Sequence, residues 1–233
     1  MSRRLFLLGG SAAFQVTADD FVHAAGGREA RIVLLLQGGR DWQRYVPEYT
    51  HPWTARGVQY HDVIVPDDAG RLNLDSVVPQ LERATGIFIG GGNTAAYRRL
   101  YVSDPIRAIM RQRYARGIPV AGCSAGALIA PKTCVFHPGE GEGDARTANG
   151  LSLVDALLVG VHFSMEKVLP NLLAAMVETR TRAAWGIEDA ACVVFEDEKF
   201  VRVLGCRAYE IVMTNFEKGL YHLLEHPIPA EMD

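Results

Sequence analysis

Short, wholly apolar runs recur along the chain, each followed by a stretch with helical spacing. This alternation constrains the fold more than any other feature of the sequence. The runs are "RLFLLG" (4–9), "RIVLLLQ" (31–37), "YHDVIV" (60–65), "GIFIG" (86–90), "IPVAG" (118–122) and "LLVGVHF" (157–163). Between them, Thr17 can cap "ADDFVHAA", and Leu74, Val77, Val78 and Leu81 form a helical stripe. Ser103 before Asp104-Pro105 opens a helix that Gly117 stops. Ser164 can cap "MEKVLPNLLAAMVETR", which Pro170 should kink or weaken. A strand without a polar face must be covered on both sides. The pattern therefore predicts an α/β fold: a doubly wound, mostly parallel sheet with helices on both faces. After residue 185 the spacing tightens to "AACVVF", "FVRVLG" and "AYEIVM", read as antiparallel C-terminal strands closing one edge. No repeat, low-complexity tract or linker interrupts the pattern, so 1–233 reads as one domain.

Composition narrows the class. A chain of 233 residues with 48% hydrophobic content can build a core without disulfide or metal. The net charge of −3 and the lack of a long basic run argue against a nucleic-acid partner. No run approaches the ~18 apolar residues of a membrane span. The start "SRRLFLLGGSA" superficially resembles an export signal, but its apolar run Leu5–Leu8 is too short, and a buried strand ending at Gly9-Gly10 fits better. Cys123, Cys134, Cys192 and Cys206 form no CxxC pair and show no zinc spacing. They read as reduced thiols of a cytoplasmic protein, with neither metal nor cofactor expected.

In a doubly wound sheet the ligand sits beyond the carboxyl ends of the strands. There stands Gly122-Cys123-Ser124-Ala125-Gly126, the G-x-S-x-G pattern of a nucleophile elbow between strand and helix. Centring it on Ser124 puts glycines at both flanks; centring it on Cys123 does not, so Cys123 reads as a buried neighbour. The Ala125 N–H then points at a forming oxyanion. "GIFIGGGNT" can supply a second donor from Gly91 or Gly92, since it lacks the Lys and Ser/Thr of a phosphate loop. A serine hydroxyl needs a base. Of the seven histidines, His162 alone follows a predicted interior strand on the same sheet edge as Ser124. The orienting carboxylate is sought in the loop "HPGEGEGD", which offers Glu140, Glu142 and Asp144.

Taken in order, "IFIGGGNT", "AGCSAGALIA", "GVHFS" and "GIEDAACVVFEDEKFVRVLG" resemble the motifs of the cyanophycinase and aspartyl dipeptidase (peptidase E) serine peptidases. The resemblance runs from "LFLLGG" to "AYEIVM" and implies the class I glutamine-amidotransferase-like fold. It implies Ser124 as nucleophile, His162 as base and a loop carboxylate as third member, Glu140 by spacing and Glu142 next. It places Asn93 where a polar residue faces substrate. It implies a serine exopeptidase or isopeptidase acting on small peptides, with aspartyl or β-aspartyl bonds favoured. The partner expected is that peptide, without nucleic acid or membrane; a homodimer is compatible. One departure stands out. The segment "HFSMEKVLPNLL" lacks the arginines expected after the His-Phe motif of cyanophycinases, leaving Lys167 as the cation for an acidic substrate; Arg98, Arg99 and Lys132 are the other candidates. Two alternatives use the same residues differently: an α/β-hydrolase esterase with His222 or His226 as base, and a non-catalytic binding protein of the same fold.

Overall fold

The computed structural model describes residues 2–137, 139–140, 145–165 and 167–226. Its strands and helices follow one another as β1 (Arg4–Leu8), α1 (Phe14–Ala24), β2 (Arg31–Leu35), α2 (Val46–Thr54), β3 (Tyr60–Ile64), α3 (Leu74–Arg83), β4 (Gly86–Ile89), α4 (Thr94–Tyr101), α5 (Ile106–Ala115), β5 (Val120–Cys123) and α6 (Ala125–Ile129). The hairpin strands β6 (Thr133–Val135) and β7 (Thr147–Asn149) come next, then β8 (Leu157–Val161), α7 (Val168–Thr179), β9 (Ala183–Ile187), β10 (Ala191–Glu196), β11 (Lys199–Gly205), β12 (Ala208–Asn215) and β13 (Leu220–His226).

The main sheet has the order β11-β10-β1-β5-β4-β2-β3. The five strands from β1 to β3 are parallel. At the other edge β10 pairs antiparallel with β1, and β11 with β10, as the tightened C-terminal spacing suggests. Side-chain alternation explains the unbroken apolar runs. Leu5, Leu7, Val33, Leu35, Ile87 and Ile89 enter the core under α3 and α5, with Val77, Leu81 and Met110. Phe6, Leu8, Ile32, Leu34 and Phe88 enter the opposite core, with Phe21 of α1 and Trp53 of α2. Each strand feeds two cores, so neither face can be polar.

A second sheet, β13-β12-β9-β8, departs from the sequence expectation. The run at 157–163 is not interior to the main sheet; β8 is an edge strand here, parallel to β9. It is buried throughout because α7 covers one face, with Leu158 against Leu172, while Val159 and Val161 join the main core. Hydrophobicity reported the burial correctly but carries no information on which sheet does the burying. β9 carries no clear strand signal, because "AAWGI" has little of the β-branched content that marks a strand. Gly186 is required there: a Cβ would collide with the Phe163 ring. α7 begins at Val168, not after Ser164. Pro170 thus falls in its first turn, where the missing N–H costs no helical bond. Among the described residues no helix is long and apolar enough to cross a membrane.

Candidate active site

The elbow forms where β5 stops. Ser124 takes φ 50°, ψ −112°, a conformation a non-glycine residue holds only under constraint. The constraint is visible on both sides. The Ser124 N–H donates to Leu8 O at 2.9 Å, and the Gly126 N–H to Gly90 O at 3.1 Å. A Cβ on Gly122 would strike the Gly126 carbonyl, and one on Gly126 would strike Ile89 O. Both flanking glycines are therefore demanded by close approach of backbone to backbone. Ser124 stands half-buried at the start of α6, beyond the carboxyl ends of β1, β4 and β5.

The Ser124 Oγ lies 3.0 Å from His162 Nε2. His162 follows β8 with φ 52°, and its Nδ1 is bonded to Asp189 Oδ1. A carboxylate can only accept, so Nδ1 carries the proton. Nε2 is then left as acceptor for the serine O–H. Asp189 lies in the turn that carries the chain from β9 in the second sheet to β10 in the first. Gly9 and Gly10 make room for that turn: a Cβ on Gly9 would meet the Glu188 backbone, and one on Gly10 would lie 2.6 Å from Asp189 Oδ1. The neighbouring Glu188 accepts from Ser164 N at 3.2 Å and Ser164 Oγ at 2.5 Å. Ser164 thus fastens the residues after His162 rather than capping a helix.

The expected third member is elsewhere. Glu140 does not meet His162; its Oε2 accepts from Thr94 N at 3.2 Å and Thr94 Oγ1 at 2.7 Å, at the start of α4. Glu142 and Asp144 lie outside the described residues. Asp189 follows His162 in the chain, outside the stretch between Ser124 and His162 where the sequence points to a carboxylate. The sequence signal for it is the acidic pair Glu188-Asp189 after the apolar end of a strand, at the Gly9-Gly10 turn. Gly91 is also corrected as an oxyanion donor, since its N–H is spent on Tyr49 Oη at 3.0 Å. The amides of Ala125 and Gly92 have no partner among the described residues. Asn93 uses its Oδ1 to cap α4 at Ala96 N, 2.9 Å away. Lys167 is exposed and is not among the residues that line the cleft.

Cys123 is 3% exposed. Burial above all, with Cys192 and Asp189 nearby, pushes its thiol well above the ordinary range, so it stays protonated and unreactive at neutral pH. His226, a candidate for the esterase base, is instead bonded to Glu210 at 3.3 Å and packed on Trp185. His222 lies on β13, across from Val212. The serine opens into a cleft of about 310 Å³ lined by Thr94, Leu128, His137, Glu140 and Val161 among others. A hollow of similar size lies at the opposite, amino ends of β2 and β3, far from this chemistry.

A serine held on a strained elbow, with an imidazole and carboxylate in series behind it, defines a hydrolase of the serine type. Comparison with known proteins narrows this. The sequence model of peptidase family S51 matches residues 5–203, and the chain belongs to that family. It is 26% identical over 210 residues to the cyanophycinase of Nostoc sp., covering 84% of this chain and 70% of that protein. It is 23% identical over 225 residues to the uncharacterized peptidase YgaJ of Bacillus subtilis, covering 93% and 91%. The crystal structure of a peptidase from an acI-B1 Actinobacterium shares the fold, with a TM-score of 0.72 over 99% of this chain and 96% of that one, at 16% identity. The chain is a serine-type peptidase with the class I glutamine-amidotransferase-like fold.

Proposed function

We propose that this peptidase cleaves short peptides through an acyl-enzyme formed on Ser124, with His162 as general base and Asp189 as the group that orients it. The observation that carries the reading is the unbroken series Ser124 Oγ, His162 Nε2, His162 Nδ1, Asp189 Oδ1. Ser124 Oγ attacks the scissile carbonyl carbon as its proton passes to His162 Nε2. The carbonyl oxygen, now an oxyanion, is met by the free amides of Ala125 and Gly92. As the tetrahedral intermediate collapses, the C–N bond breaks and His162 returns the proton to the leaving amine. Water then enters, gives a proton to the same nitrogen and attacks the acyl carbon; the bond from that carbon to Ser124 Oγ breaks, and His162 returns the proton to Oγ. Asp189 stays ionised throughout, fixing the tautomer and stabilising the transient imidazolium.

The aspartyl preference implied by the family resemblance finds no support in the lining of the cleft. A buried substrate carboxylate needs a cation or converging N–H groups. Among the described lining residues there is no Lys or Arg, and Glu140 adds a carboxylate. A non-catalytic role is disfavoured by the strained serine, which a mere binding loop has no reason to retain. The test is a serine-directed fluorophosphonate probe with peptide mapping of the adduct, in parallel with turnover of short peptides. Labelling at Ser124 and its loss in His162→Ala are expected. Labelling elsewhere, or undiminished turnover in Ser124→Ala, overturns the reading.

A further inference from the structure

With Asp189 behind His162, Glu140 has no part in the proton relay, yet it is built firmly into the cleft. Its Oε2 takes two hydrogen bonds from Thr94, a residue only 1% exposed, at the first turn of α4. Its own N–H donates to His137 O at 2.9 Å, closing a turn that brings both side chains to the lining. The second carboxylate oxygen, Oε1, has no partner among the described residues. One oxygen is therefore anchored and the other is left for a ligand. Such a carboxylate attracts a cation and repels another carboxylate. Besides Ser124, His137 and His162, the cleft is lined by the apolar side chains of Leu128, Val161 and Met165, which suit an uncharged side chain.

The position of the anchor selects which cation. Thr94 is two residues from Gly92, whose amide is offered to the reacting carbonyl oxygen. Glu140, Thr94 and Gly92 thus line the same cleft as the Ser124 hydroxyl. An α-ammonium is two bonds from that carbonyl carbon, whereas a lysine ammonium is six bonds away. We propose that Glu140 Oε1 receives the α-ammonium of the substrate's first residue, making the enzyme an aminopeptidase of short peptides with a free N-terminus and an uncharged first side chain. The proposal rests on the reading of Ser124 as nucleophile.

The experiment compares Ala-initiated tripeptides with free and N-acetylated ends, and an Asp-initiated tripeptide, in wild type and Glu140→Gln. Fluorophosphonate labelling of Ser124 serves as a control that needs no ammonium. Glutamine keeps an oxygen for Thr94 but loses the charge. Wild type should favour the free Ala peptide over its acetylated form by about 10–100-fold in kcat/KM, the scale of a lost charged hydrogen bond. Glu140→Gln should erase that ratio, chiefly through KM, and leave labelling of Ser124 intact. Equal cleavage of free and acetylated peptides, an unchanged ratio in Glu140→Gln, or labelling of Ser124 without cleavage of any peptide overturns the proposal while leaving the nucleophile assigned. Preferred cleavage of the Asp peptide, rising further in Glu140→Gln, makes Glu140 a stand-in for a substrate carboxylate and also overturns it. Absence of both labelling and cleavage sinks the nucleophile reading itself, and this proposal with it.

Discussion

At Cys123 and Ser124, adjacent side chains of similar size have opposite surroundings. The thiol is enclosed between β5 and the α1–α2 core, where ionisation is unfavourable. The hydroxyl projects into the cleft at hydrogen-bond distance from an imidazole. Ser124→Ala should remove turnover by several powers of ten, as loss of a triad nucleophile does. Cys123→Ala should keep most of the activity while lowering stability through a small cavity. Because the thiol is raised above its ordinary value, it remains neutral below that raised value. Iodoacetamide at pH 8 should therefore leave native Cys123 unmodified and activity unchanged. Mass spectrometry of the treated protein checks this; inactivation with modification at Cys123 would move the chemistry to sulfur.

The elements most important to the site are the turns that end β5, β8 and β9. Gly186 shows how tightly they are coupled: its missing side chain is the space taken by the Phe163 ring, next in sequence to His162. Gly186→Ala should displace that ring, and His162 with it. Overpacking of this kind costs about 1–3 kcal/mol, and an ångström of misplacement in a catalytic group costs about 100-fold in rate. A fall in kcat with a modest drop in Tm is expected; retention of full activity would show that His162 is held by other means. The elbow was legible from sequence because its residue pattern is local, two glycines around one serine, even though distant backbone from β1 and β4 holds it. His162 was legible because an apolar run ends just before it. Asp189 and the pairing of β8 with β9 were not, because both depend on which sheet a strand joins. That choice is made by long-range packing of Phe163 on Gly186 and α7 on β8. Glu140 shows the same ambiguity: a loop acid between serine and histidine is close to both in sequence, but the Thr94 donors at the start of α4 capture it.

Across the whole molecule, the relay straddles two sheets. Ser124 belongs to the main sheet, His162 to the end of a strand in the second, and Asp189 to the crossing between them. An aromatic group helps join the two: Trp185 of β9 stacks on Phe200 of β11 at 4.6 Å and meets Phe195 of β10 edge-on at 6.0 Å. Trp185→Ala should cost about 3–5 kcal/mol and lower Tm by about 10 °C. It should also slow probe labelling of Ser124 at temperatures well below the new Tm, because the sheets carrying serine and histidine are less firmly registered. Thermal melts and labelling rates on the same sample check this. A large loss of Tm with an unchanged labelling rate would mean that the site is fixed locally and not by the joint between the sheets.

In the proposed relay Asp189, rather than Glu140, sets His162 to work on Ser124. The direct measurement is the second-order rate of fluorophosphonate labelling at Ser124 in wild type and Asp189→Asn. An asparagine can preserve the shape but can present its amide to Nδ1 and favour the wrong tautomer, so labelling should slow by about 100-fold or more. Labelling of Asp189→Asn at the wild-type rate would show that Asp189 does not orient His162.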